Sequence, residues 1–187
     1  GGSLTVNLLS DPDTYVANQT VGDNDFILAA RNTGAVTINV GSYVSAAGSS
    51  LLTNATTLAV SVDATSTLGG NIRADKATTI AVTGGADIEA AVSGAAATTM
   101  SFDVGSGTIA VGSTGITTFS LSNSGSVQVT AANRLSGVET ITIDTQSDAD
   151  LSFVATTGLQ TLSISGSGTL AGASIGQHSG KATSLTI

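Results

Sequence analysis

One phrase returns along the chain, as ATTLAVSV, ATTIAVTG, ATTMSFDV, ITTFSLSN, VETITIDT and LQTLSISG, and it limits what this chain can fold into more than anything else in the sequence. Taking the apolar residue behind each Thr, or behind Ser184 in the last copy, gives Ile38, Leu58, Ile80, Met100, Phe119, Ile141, Leu162 and Leu185. Their separations are 20, 22, 20, 19, 22, 21 and 23 residues, so the period is close to the length of one solenoid coil. Two residues further on stands a second apolar residue in each copy: Val40, Val60, Val82, Phe102, Leu121, Ile143, Ile164 and Ile187.

Within a copy the pattern has period two. Leu58, Val60 and Val62 fall on one face, and Thr57, Ala59 and Ser61 on the other, which predicts a strand buried on one side. A second apolar alternation follows each turn: Ile88 with Val92, Ile109 with Val111, Val127 with Val129, Leu151 with Phe153, and Leu170 with Ile175. Between them lie Gly84-Gly85, Asn123-Ser124-Gly125 and Ser165-Gly166-Ser167-Gly168, residues that supply positive φ and local side-chain bonds in tight turns. A single unit of strand, turn, strand and turn cannot bury its own apolar face. Stacking units about 4.8 Å apart pairs each strand with its counterpart in the next coil and closes a common core.

The expected fold is therefore all-β, a parallel β-solenoid with coils of about 21 residues, and seven or eight coils would make a rod of roughly 35–40 Å. A β-sandwich is the alternative, although sandwich strands do not repeat one phrase at one fixed spacing. Residues 1–32 fit the period poorly and hold the only proline, Pro12. They are expected to form an irregular cap or lead-in, with the solenoid over 33–187 as part of a longer chain.

Composition narrows the partners. The 187 residues are 41% apolar but only 3% aromatic, so the core must be built from medium-sized aliphatics. Thirteen acidic against five basic residues leave a net charge of −8, and Arg31, Arg73, Lys76, Arg134 and Lys181 are scattered rather than clustered. That argues against nucleic acid and anionic membrane surfaces as partners. No apolar run reaches the ~20 residues that cross a bilayer, so membrane insertion is not expected. The absence of cysteine excludes disulfides and thiolate metal sites.

Little in the chain points to catalysis. The one histidine, His178, lies in the Gly/Ser-rich stretch SIGQHSG, and in a chain where serines are everywhere a Ser beside it does not mark a nucleophile, so it reads as a solvated loop histidine. The Gly-rich stretches lack the GxxxxGK[ST] pattern of a phosphate loop and read as turns. An enzyme is not expected. Carboxylates are the exception worth placing: Asp144, Asp148 and Asp150 in DTQSDAD, and Asp23 and Asp25 in GDNDF. Turns rich in Asp, Asn and carbonyl oxygens suit calcium, which takes six to eight oxygen ligands, while ordinary Asx turns account for the same residues.

The outward positions form ladders as well: Thr57, Thr79, Thr99, Thr118, Thr140, Thr161 and Ser184, with a column from Ala59 to Thr186 beside them. A flat Thr array is what an ice-binding face looks like, but Thr is also simply a good residue for a solvated strand. Asp103 and Asp144 interrupt the third column, and coils of unequal length are expected to spoil its flatness.

At LSGVETITID (135–144) and TTGLQTLSISGSGTL (156–170), the sequence resembles bacterial surface-layer proteins of the calcium-dependent, type I-secreted kind, a likeness that covers roughly residues 33–187. The resemblance implies an extracellular structural role at the bacterial cell surface: self-association into a lattice, calcium at interfaces, and anchoring to lipopolysaccharide through regions outside this segment. The calcium-binding nonapeptide repeats of that family are missing here, GGADIE (84–89) being the nearest match. Large secreted adhesins use similar repeats, which keeps an adhesin stalk as the alternative function.

Overall fold

The computed structural model describes residues 2–8, 27–30, 34–42, 44–46, 50–132, 135, 137–155, 158–175 and 184–186. The described strands lie in two sheets in which every pairing is parallel. Sheet A takes β1 (Leu4–Leu8), β3 (Ala35–Val40), β6 (Thr57–Val62), β8 (Thr79–Gly84), β10 (Thr99–Val104), β12 (Thr118–Asn123), β14 (Thr140–Thr145), β16 (Thr161–Gly166) and β18 (Ser184–Thr186). Sheet B takes β2 (Ile27–Ala30), β4 (Ser45–Ala46), β5 (Ser50–Thr53), β7 (Thr67–Ala74), β9 (Asp87–Ser93), β11 (Gly107–Val111), β13 (Val127–Ala132), β15 (Ala149–Ala155) and β17 (Leu170–Ile175). The chain alternates between the sheets, with six regular turns from β6 to β17, and among the described residues there is no helix. This is a parallel β-solenoid. The sandwich alternative falls because its strands would pair antiparallel.

The repeat phrase is the strand of sheet A. Leu58, Ile80, Met100, Phe119, Ile141 and Leu162 pair in succession and are all buried, as are Val60, Val82, Phe102 and Leu121 in the next inward column. From sheet B, Ile88, Val92, Ile109, Val127, Val129 and Leu151 complete one continuous core. Phe102 and Phe119 meet there with ring centroids 5.9 Å apart. A third inward line closes the corner between the sheets: Ala55, Ala77, Ala97, Ile116, Val138 and Leu159, all 4% exposed or less.

In the first copy the register differs from the sequence reading. Val36, not Ile38, pairs with Leu58, and Ile38 pairs with Val60, so the first separation is 22 residues. A slip of two keeps every side chain on its own face, and alternation alone could not detect it. The third inward position decides it, since Val40 pairs with the buried Val62. The boundary at residue 32 also shifts in meaning. Both β1 and β2 lie before it, yet Leu4–Leu8 pairs residue for residue with β3, and Ile27–Ala30 with β5. Leu4 pairs with Val36, a separation of 32, and this long step hides the period there. Pro12 lies outside the described residues.

Unequal coils do not disturb sheet A. From β3 to β16 each strand pairs six residues with the next without a shift, whereas sheet B shifts register between Thr130 and Ala132 and again between Asp150 and Phe153. The extra residues are taken up in the corners and in sheet B. The outer face of sheet A keeps its ladders in register although the coils differ in length.

Candidate functional site

Strand alternation sets two outer faces of different chemistry. On sheet A, each strand from β6 to β16 turns three side chains outward: a first column of Thr57, Thr79, Thr99, Thr118, Thr140 and Thr161; a second of Ala59, Ala81, Ser101, Ser120, Thr142 and Ser163; and a third of Ser61, Thr83, Asp103, Ser122, Asp144 and Ser165. Most of these positions are half-buried by their own neighbours. Hydroxyl and methyl groups make up the face, and Asp103 and Asp144 are its only charges between β3 and β16.

Beside the first column runs a feature the sequence reading did not single out. At the corner before each sheet A strand, Thr98 Oγ1 donates to the Thr78 carbonyl at 3.2 Å, and Thr117 Oγ1 to the Thr98 carbonyl at 3.2 Å. The backbone amides of Thr78, Thr98 and Thr117 donate to the carbonyls of Thr56, Thr78 and Thr98 at 3.0, 3.0 and 2.9 Å. The first Thr of each Thr-Thr pair therefore ties coil to coil, while the second belongs to the outer face. That division explains why the pair recurs, and the doubled Thr was its only sequence signal.

Sheet B gathers the charge. Arg73 and Asp75 form an ion pair at 2.6 Å, and the Arg73 hydrogen bond holds the Asp75 carboxyl below the usual carboxylate range against a small opposing effect of burial. Further along, Asp87, Ser106, Thr108, Gln128, Asp148 and Asp150 line an open groove, where Gln128 Nε2 donates to Asp150 Oδ2 at 3.4 Å.

Of the carboxylates expected to bind calcium, Asp144, Asp148 and Asp150 are described, while Asp23 and Asp25 lie outside the described residues, as does His178. The three are not brought to one point. Asp144 faces outward from sheet A, where Ser165 Oγ and Gln146 Nε2 each donate to its Oδ1 at 3.1 Å. Asp148 lies in the turn, its carbonyl accepting from the Val127 amide at 2.9 Å, and Asp150 faces outward from sheet B. The alternation of inward Ile143, Thr145, Ala149 and Leu151 forces this separation. Among the described residues, no group of three or more His, Cys, Asp or Glu is placed to hold a metal ion. Asp63 shows the local alternative at work: it accepts from the Thr65 amide at 2.9 Å and the Thr65 hydroxyl at 2.6 Å, an Asx turn that lowers its pKa.

The turns between the sheets hold buried polar groups. Asn123 Nδ2 donates to the Gly125 carbonyl at 2.7 Å and bridges to Asp148 O at 3.4 Å, while its Oδ1 is buried without a partner. Ser66 donates to the Gly41 carbonyl at 2.6 Å and accepts from the Val44 amide at 2.8 Å, stapling two coils. These groups close turns.

No family model, curated protein or solved structure matches the chain. Function must be argued from the faces themselves. What they present is a long array of hydroxyls on one side and a carboxylate-lined strip on the other.

Proposed function

We propose that this chain is a non-enzymatic structural module of a bacterial cell-surface layer, a rigid rod that works outside the cell by packing against copies of itself. The observation that carries this reading is the unbroken register of sheet A, which repeats one outer face in every coil and so offers a partner the same contact again and again. A rod built this way resists bending, because each coil is hydrogen-bonded to the next through both sheets. Calcium belongs to the proposal as a bridge between acidic copies, since a chain of net charge −8 repels its neighbours.

Antibody raised against the purified chain and applied to intact producing cells tests the reading. Labelling should form an ordered, continuous coat on the outer surface. Label confined to the cell interior would sink it, and label on sparse fibres projecting from the cell would favour an adhesin stalk instead.

A further inference from the structure

We propose that the outer face of sheet A is the surface through which two copies of this chain associate side by side, a proposal that rests on the self-assembling reading and names its interface. Three observations choose this face. The first is charge. Among the described residues, Asp103 and Asp144 are the charges on the strands of sheet A, both in its third column, which leaves its first and second columns uncharged, whereas Arg73, Asp87, Glu89 and Asp150 stand on the strands of sheet B. Two copies of net charge −8 repel at any approach, and the approach that brings the fewest carboxylates together costs least.

The second is area. Seven strands of six residues, with β1 of five and β18 of three at the ends, at ~3.3 Å per residue and ~4.8 Å apart make a face of roughly 750 Å². Standard pairwise interfaces take roughly 600–1,000 Å² from each partner, and this one face lies within that range. The third is shape. The central column of Ala59, Ala81, Ser101, Ser120, Thr142 and Ser163 is small and in register, flanked by a rail of threonines, so a copy turned about a two-fold axis meets a surface identical to its own. Both carboxylates, Asp103 and Asp144, stand in the outer column toward the turns, where they reach the rim of such a contact and stay hydrated.

The test is sedimentation of the full chain over a range of protein concentration and salt, with two doubly substituted variants. One carries Ser101→Glu and Ser120→Glu at the centre of sheet A, the other Thr108→Glu and Gln128→Glu on sheet B. Both add the same charge at outward positions, and equal thermal melts establish that both fold. The wild-type chain should associate more tightly as salt rises, the sheet A variant should lose at least about tenfold in association constant, and the sheet B variant should behave as wild type. Equal weakening in both variants, or none in the sheet A variant, overturns the choice of face while leaving self-assembly standing. A wild-type chain that stays monomeric at every concentration overturns both. Thermal hysteresis from the monomer, lost in the sheet A variant, would give the face to ice and overturn the proposal.

Discussion

Ile141 and Thr142 are neighbours in sequence with opposite fates. Ile141 is 1% exposed and stacks between Phe119 and Leu162, while Thr142 faces outward. Ile141→Asp buries a carboxylate without a partner and should cost several kcal/mol, a large share of the 5–15 kcal/mol that holds a domain together. Thr142→Asp should change the melting temperature little, and equal melts for the two variants would refute the register. Backbone positions are as exacting at the turns. Gly84 sits at φ +82°, and a Cβ there would run into the Val62 carbonyl oxygen of the preceding coil. Gly84→Ala should therefore destabilise by more than the ~1–2 kcal/mol of left-handed strain alone, a loss that chemical denaturation measures. Asp75 gives the pH dependence its sign. Because the Arg73 hydrogen bond depresses its folded pKa, the pair adds stability above the unfolded value and loses it as pH falls through the folded one. The site is exposed and the effect small, so the melting-temperature gap between wild type and Asp75→Asn should narrow as acid passes through the carboxylate range.

Strands tolerate no insertion, and corners absorb it. In sheet A a one-residue slip would turn every buried side chain outward, whereas the corner from Gly112 to Thr117 already differs in length from its counterparts. An extra Ser between Ser101 and Phe102 should abolish the cooperative melt, and one between Thr114 and Gly115 should leave it nearly intact. The same contrast explains what was legible beforehand. From Leu58 to Leu185 the pairing of sheet A could be read from the phrase alone, because each copy carries its Thr marker, or Ser184 in the last, before an inward apolar residue. The first copy misled by two residues because Thr37 stands at a second-column position that Ala59 fills in the next coil, and so mimics the marker. The strands at Leu4 and Ile27 were hidden by a coil longer than the rest. For the site, alternation already separated Asp144 from Asp150. Closeness in sequence suggested a shared ion, but these residues pass from the outer face of one sheet to the outer face of the other. Which columns are uncharged emerges only when the strands of all the coils are placed side by side.

As a whole the molecule is an acidic solenoid whose sheet A confines its charges to one outer column. Calcium, if it bridges copies as proposed, should strengthen association more than sodium at equal ionic strength, and a chelator should reverse this without lowering the melting temperature of the single rod. That temperature rests on the aliphatic stack, of which no carboxylate is part. Electron microscopy of the purified chain, concentrated with and without calcium, tests side-by-side self-assembly most directly. Ordered ribbons or sheets of rods lying side by side are the expected result, whereas well-separated single particles under every condition would contradict it.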